Sequence, residues 1–177
     1  MSHVNLETIS AIAQIVAAIG VIASLFYLAV QIRQNTQSQR SVVVDSLTSS
    51  LINLLGPQST DPDLMRSFAS AIEDWHGASV DDRSRAAATL FTLFKLLENA
   101  WFQHRQGTLD REQWEGWDLY VRVYFHRPGV QVWWADRKAM FGAGFRSYVE
   151  ATKAVSGVSP LSQLIRGKPS PVPTAKS

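Results

Sequence analysis

The chain of 177 residues contains no cysteine, which excludes a disulfide scaffold, a thiolate metal site and a cysteine nucleophile. It also carries little net charge, because it contains 17 basic and 15 acidic residues. An excess this small does not indicate nucleic-acid binding, so we expect no nucleic-acid partner. No stretch alternates apolar and polar residues over the length of a strand. The sequence therefore predicts an all-α fold.

Charge is absent from residues 8–32, a run of 25 residues without Asp, Glu, Lys or Arg. A helix of roughly 20 residues crosses the hydrocarbon core of a bilayer, so this run is long enough to do so. Gln14 and Gln31 lie towards its two ends and Tyr27 lies in its second half, where polar groups can reach the interface. The run predicts an N-terminal transmembrane helix within residues 1–34.

A signal peptide and a buried core helix are the two alternatives for this run. A signal peptide should begin with basic residues and have a shorter apolar core, whereas the first ten residues contain no Lys or Arg. A core helix would need a partner layer that is apolar on all sides, and the rest of the chain is too amphipathic to supply one.

The charged residues that flank the apolar run predict its orientation in the membrane. Arg33 and Arg40 follow the run with no acid before Asp45, which predicts a single pass with the N-terminus outside and the C-terminus in the cytoplasm.

Small and polar residues recur along the predicted transmembrane helix in a seven-residue pattern. The two seams of this pattern contain Ser10, Ala13, Ala17, Gly20, Ser24 and Gln31. Small side chains let two helices approach closely in lipid, where hydrophobicity alone does not drive association. The pattern predicts self-association, although an alanine-rich apolar segment also produces such stripes by chance. An oligomeric pore is a further alternative, with the serines and the glutamine of the seam lining a narrow polar path.

No Pro or Gly interrupts residues 21–55, so the helix can continue past the membrane. The apolar residues of this continuation have helical spacing: Val43, Leu47, Leu51 and Leu54. A break near Asn35 is the alternative, because Ser, Thr and Asn lower helix propensity there. Gly56-Pro57 predicts the end of the helix. We assign residues 35–58 to a helical extension or linker.

Residues 59–156 predict a cytoplasmic helical domain, and residues 157–177 a loosely ordered, proline-rich tail. Asp61 and Asp110 are placed to cap the N-termini of two helices, and Ser79 or Val80 opens the longer helix between them. Leu90, Phe94, Leu97 and Trp101 form the buried stripe of the longest helix in this domain. We expect Trp101, and Trp117 on the next helix, to be largely buried.

Chemical motifs are scarce. No two of the four histidines share a helix face at a spacing of three or four, and no glycine-rich phosphate loop or nucleophile with a neighbouring base occurs. We therefore expect no enzymatic activity, no cofactor and no metal site. Glu98-Asn99 lies within an apolar helix, which predicts an internal hydrogen-bond network, for instance through Arg105 or Arg122.

Aromatic residues are concentrated between residues 101 and 148, where we expect them to form a core. Part of the cluster is alternatively a ligand or partner pocket. Trp133 and Trp134 are neighbours about 100° apart on a helix, so we expect one of them at a surface, an interface or the membrane edge. Together with Arg137 they are the candidate partner or ligand surface. The basic residues around the cluster either bind anionic lipid headgroups or form a solvated face, and they are Arg122, Arg127, Arg137, Lys138 and Arg146.

Four blocks in order give the chain a resemblance to known sequences: QIRQNT (31–36), ENAWFQHRQG (98–107), RPGVQVWW (127–134) and MFGAGFRSYVE (140–150). With its N-terminal transmembrane helix, the chain resembles a widespread group of uncharacterised bacterial single-pass membrane proteins. The resemblance implies a place in the bacterial inner (cytoplasmic) membrane. It implies no activity or catalytic residue.

The sequence therefore predicts a membrane-anchored helical protein that acts by association. Its expected partners are membrane lipid and either further copies of itself or a larger membrane complex, in which it would be an accessory or structural subunit. The pore and a membrane-tethered small-molecule sensor are the alternatives.

Overall fold

The computed structural model describes residues 6–157, which form six α-helices and no β-strand. The all-α prediction is confirmed. A short 3₁₀ turn, Lys138–Met140, follows the fifth helix. The predicted proline-rich tail lies outside the described residues from residue 158 onward. The helices are α1 (Leu6–Thr60), α2 (Pro62–Glu73), α3 (Val80–Arg105), α4 (Arg111–Phe125), α5 (Pro128–Arg137) and α6 (Ala143–Ala151).

The chain divides into two compact units, the first ending at Val42 and the second beginning at Val43. The second unit starts before residue 59, where the sequence predicted the domain to begin. Leu47 is buried, and it forms a cluster with apolar side chains of α3 and of the segment between α3 and α4. Residues 43–58 are therefore a structural part of the second unit and not a linker to it.

Helix α1 does not end at Gly56-Pro57, so that prediction was wrong. Pro57 lies inside the helix, which continues to Thr60, and the helix is also unbroken at Asn35. Proline lacks an N–H and so removes one backbone hydrogen bond, but its fixed φ is compatible with helix. The last turn is completed by the hydroxyl of Ser59, which donates to the carbonyl of Gly56 at 2.7 Å, and by the N–H of Asp61, which donates to the carbonyl of Pro57 at 3.1 Å.

The N-caps predicted at Asp61 and Asp110 are confirmed, and α3 begins at Val80 with Ser79 as its N-cap. The carboxylate of Asp61 accepts from two backbone N–H groups at the start of α2, and Ser79 and Asp110 each accept from one at the starts of α3 and α4. These side chains satisfy backbone donors that the first turn of a helix leaves without a partner. The sequence thus encodes these three boundaries locally.

Helix α3 supplies the central stripe of the core. Leu90, Phe94 and Leu97 are fully buried on it, as predicted. Trp101, on the same stripe, is only half-buried, and so is Trp117 on α4, so the expectation that both are largely buried was wrong. Both lie at the margin of the core cluster and pack against it from outside. Their rings are large enough to contact the core and still reach solvent.

Helices α2 and α5 approach each other at Gly129. A Cβ added to this glycine would lie 2.0 Å from the carbonyl oxygen of Ala71, so no larger residue fits without moving a backbone. Gly129 itself is buried. The close approach brings α5 against the core, with Trp133 and Trp134 packed among its aromatic rings.

Candidate functional site

The apolar run predicted to cross a membrane forms the N-terminal part of α1, and its side chains are exposed. The most apolar 18-residue window of this helix has a mean hydropathy of 2.3, and none of it is buried. By length and composition the helix can cross a membrane. The large apolar side chains exposed along the run are Ile9, Ile12, Ile15, Val16, Ile19, Val21, Ile22, Leu25, Phe26, Leu28, Val30 and Ile32.

All six predicted seam residues lie on this exposed helix: Ser10, Ala13, Ala17, Gly20, Ser24 and Gln31. The surface at Gly20 is open, because a Cβ added there would meet nothing within 4 Å. The Ser24 hydroxyl donates to the carbonyl oxygen of Gly20 at 2.9 Å, and the Gln31 side-chain amide donates to the Tyr27 hydroxyl at 2.9 Å. These donors are therefore satisfied within the helix. Self-association through the seam stays a prediction.

A row of stacked side chains in the second unit joins α3, α4 and α6. We call it the aromatic ladder, and its members are Arg105, Trp101, Tyr148, Trp114 and His104. The Arg105 guanidinium lies over the ring of Trp101, 4.9 Å from its centroid, and Trp101 stacks on Tyr148 at 6.2 Å. Tyr148 contacts Trp114 at 5.6 Å, and Trp114 stacks on His104 at 5.0 Å with the two rings nearly parallel. The ladder members thus contact one another in sequence. This arrangement holds three helices together and uses ring surfaces that a ligand would otherwise contact.

Tyr148 anchors the ladder through its hydroxyl, which donates to the carboxylate of Asp118. Burial raises the pKa of the Tyr148 hydroxyl, and the hydrogen bond to Asp118 acts in the same direction. Arg122 pairs with the same carboxylate at 3.7 Å and donates to the carbonyl oxygen of Lys153 at 3.0 Å. The group links α4 and α6 to the segment after α6, and its geometry is that of a structural network.

Trp133 and Trp134 are both buried, with 2% and 3% of their surface exposed, so the prediction that one lies at a surface was wrong. Both rings pack against Phe94 of α3, at 5.4 and 5.3 Å. Trp134 also contacts Phe125, and its indole N–H donates to Glu150 of α6 at 3.2 Å. Helix α5 is therefore packed on more than one side, which lets neighbouring tryptophans both be interior. Of the predicted partner surface, only Arg137 is exposed.

Three of the five basic residues around the aromatic cluster are held in ion pairs. Arg122 pairs with Asp118, Arg127 with Glu73 at 3.2 Å, and Lys138 with Glu150 at 3.0 Å. The bonds that Lys138 and Trp134 donate to Glu150 hold the pKa of that carboxyl below its usual range. Arg137 and Arg146 make no ion pair with any described residue. The predicted lipid-binding patch is thus reduced to two cations.

A shallow depression of about 260 Å³ lies beside Lys138, Arg146, Ser147 and Glu150. Pockets for drug-sized ligands are commonly 300–1,000 Å³ and largely apolar, whereas this one is small and open. Among the described residues, no group of three or more His, Asp or Glu side chains is arranged to hold a metal ion.

Glu98 caps a helix from a distance, a role that the sequence did not reveal. One carboxylate oxygen accepts from the backbone N–H of Gly142, which precedes α6, at 2.6 Å. The other accepts from Lys95 at 2.8 Å, and Lys95 also donates to the carbonyl oxygen of Met140. The internal network predicted around Glu98 therefore exists, but its partners are Lys95 and Gly142 and not Arg105 or Arg122.

Comparison with protein-family models, curated proteins and solved structures found no match to the chain. The group of bacterial membrane proteins that its four blocks resemble therefore stays a prediction.

Proposed function

We propose that the protein is a single-pass membrane protein whose N-terminal helix anchors a helical domain at the cytoplasmic face. The protein acts by associating with other protein chains in the membrane. It forms a homo-oligomer or serves as an accessory subunit of a membrane complex. The observation that carries this proposal is the apolar run at residues 8–32, which has no charge and is wholly exposed. In water such a surface would be costly, at about 25 cal/mol for each Å² of apolar area.

Association is supported by the seam. Helices in lipid are held together by close packing. The small side chains of Ala13, Ala17 and Ser24, with Gly20, allow the backbone of a second helix to approach closely. Weak Cα–H contacts become available at such short separations. Because the Ser24 hydroxyl is bonded to the helix's own backbone, the surface presents no unpaired donor to the partner.

A pore requires that the seam be hydrated, and two observations favour packing instead. The Ser24 and Gln31 donors are bonded within the helix, and the remaining seam residues between Ala13 and Gly20 are apolar. Single-channel recording in planar bilayers distinguishes the two, because a packed dimer gives no conductance. A sensor function has less support, because the aromatic ladder is self-packed and the depression near Lys138 is small.

The seam is tested by Gly20→Leu in the full chain, purified in mild detergent and analysed by native mass spectrometry and cross-linking. A Cβ added at this position meets nothing within 4 Å, and leucine is a better helix former than glycine, so the protomer should be unharmed. We expect loss of the oligomer, because the leucine separates the two backbones. Ala18→Leu is the matched control, since it enlarges a small residue that lies off the seam.

An unchanged oligomer in Gly20→Leu would show that the seam is not the interface. If the wild-type chain is monomeric and without a copurifying subunit, the association proposal is wrong altogether. Heterologous subunits that copurify with wild type and are lost with Gly20→Leu would support the accessory-subunit form.

Orientation is tested by introducing single cysteines, which the cysteine-free chain makes simple. Ser70→Cys places a thiol on an exposed position of α2. We expect an impermeant maleimide to leave it unlabelled in intact cells and to label it after lysis. Labelling in intact cells would refute the cytoplasmic placement of the domain.

A further inference from the structure

The first unit carries two arginines, and its one acidic residue, Glu7, lies far before them in the sequence. Arg33 and Arg40 are exposed on α1, and the sequence has no Asp or Glu between Glu7 and Asp45. Neither arginine makes an ion pair or a hydrogen bond with any residue that the structure describes. This distinguishes them from Arg122, Arg127 and Lys138 of the second unit, which are held by carboxylates.

The two arginines lie on one face of the helix. They are seven residues apart, which is within about 20° of two full turns and about 10.5 Å along the axis. Gln37 lies between them on the same face, four residues after Arg33 and three before Arg40. The face therefore presents a cation, an amide and a second cation in line, and all three groups can donate hydrogen bonds.

The position of this face along the helix determines what it meets. Arg33 follows the last residue of the apolar run, Ile32, directly. If that run spans the hydrocarbon core, Arg33 lies at the start of a headgroup layer of roughly 5–8 Å. Side chains of an α-helix tilt towards its N-terminus, and at the C-terminal end of a membrane span this direction is back towards the bilayer. Arg40 lies farther out, and its long side chain leans towards the same layer.

We propose that Arg33, Gln37 and Arg40 form a binding stripe for anionic phospholipid headgroups. The guanidinium groups bind phosphate oxygens, for which their planar, bidentate geometry is suited, and the Gln37 amide donates a further bond. The stripe selects anionic over zwitterionic lipid because no carboxylate neutralises it. This inference rests on the proposed membrane span.

The test uses the full chain in nanodiscs made from equal parts of phosphatidylglycerol and phosphatidylcholine. Native mass spectrometry of the released protein then counts the retained lipids of each class. We expect wild type to retain phosphatidylglycerol preferentially, by about five-fold for each arginine, equivalent to ~1 kcal/mol. Arg33→Gln/Arg40→Gln should retain the two lipids nearly equally.

Two controls separate the stripe from net charge and from geometry. Arg85→Gln/Arg111→Gln removes the same charge from exposed positions in the second unit and should leave the preference unchanged. Arg33→Lys/Arg40→Lys keeps the charge and removes the bidentate fork, so it should lower the preference only in part.

Resistance to carbonate extraction from proteoliposomes separates this inference from the proposed function. If wild type is extracted by carbonate, the proposed membrane span is refuted, and the proposed lipid-binding stripe is refuted with it. If wild type resists extraction but shows no phosphatidylglycerol preference, or the glutamine pair retains it, the stripe alone is refuted. A preference that disappears equally in the Arg85/Arg111 control would also refute it, because general charge would then explain the retention.

Discussion

The two units of this chain treat the same residue types in opposite ways. In the first, Ile22 and Phe26 leave 67% and 74% of their surface exposed, and in the second, Leu90 and Phe94 expose none. The second unit buries these apolar side chains within the protomer, whereas those of the first are exposed in it. The difference shows that apolar content alone does not define a core, because the arrangement of polar residues among the apolar ones decides which environment a helix fits.

The glycines of the two units show the same contrast at single positions. A Cβ at Gly20 would meet open space, but one at Gly129 would meet the backbone of α2. Gly129 is small because a neighbour is already present. Nothing in the protomer occupies the space at Gly20, as our proposal of a partner helix at this position requires.

The largest effect is expected for Trp133→Ala. Its ring is almost completely buried against Phe94 and Phe141, so the change leaves a cavity and should lower the free energy of unfolding by about 3–5 kcal/mol. Trp101→Ala, at a half-buried position, should cost less. Urea unfolding of the full chain in detergent, followed by circular dichroism, measures both. Equal losses would mean that the core is wrongly placed.

Gly129→Ala should destabilise the second unit by about 1–3 kcal/mol, because the methyl group forces α2 and α5 apart. Gly116→Ala is the matched control on α4, where an added Cβ meets nothing. That change should stabilise the unit by about 0.5–1 kcal/mol through helix propensity. Thermal unfolding compares the two, and a stabilised Gly129→Ala variant would contradict the close approach.

Tyr148→Phe should cost about 1–2 kcal/mol, since the hydroxyl donates to a carboxylate. The raised pKa of Tyr148 also predicts a pH dependence. The unfolded chain releases this proton near pH 10 whereas the folded one keeps it, so wild type loses stability as pH rises above about 10. The phenylalanine variant should lose less between pH 8 and pH 10.5. Parallel losses in the two proteins would show that Tyr148 does not cause the alkaline effect.

The smallest effect is expected in the first unit. Phe26→Ala removes a large side chain that is mostly exposed, so the unfolding free energy of the second unit should change by less than about 0.5 kcal/mol. The same urea titration measures it. A loss comparable with that of Trp133→Ala would mean that Phe26 packs against the domain, and the contrast between the units would then be false.

Local features could be predicted from the sequence, and tertiary ones could not. The caps at Asp61, Ser79 and Asp110 were predictable because each depends on a side chain and a backbone N–H within three residues. The burial of both Trp133 and Trp134 was not, because it depends on which elements surround α5. Periodicity describes one helix at a time and carries no information on how many neighbours that helix has.

The extent of the second unit escaped prediction for a similar reason. The apolar spacing at Val43 and Leu47 was visible, but it did not show whether the stripe packs on the domain or on another helix. At Pro57 the sequence predicted the end of α1 too early. A Gly-Pro pair is a usual helix stop, but here side-chain hydroxyls and backbone carbonyls form hydrogen bonds that complete one more turn. For the candidate site, the seam residues could be chosen from sequence alone, since spacing and size define them.

Helix α6 depends on a contact that lies 44 residues away along the chain. Gly142, at its N-cap, has no side chain to accept from the N–H groups of the first turn, but its own N–H donates to Glu98 of α3. In a capping box the same bond comes from an acid within the helix that it caps. Here the cap becomes available only once α3 has docked.

That dependence orders the events of folding. Nine residues are too few for a stable isolated helix, so α6 should remain unformed until α3 presents Glu98, and its substitutions should affect unfolding rates more than folding rates. The amides at the start of α6 should then exchange with solvent when Glu98 releases the N–H of Gly142, even while the rest of the second unit stays folded.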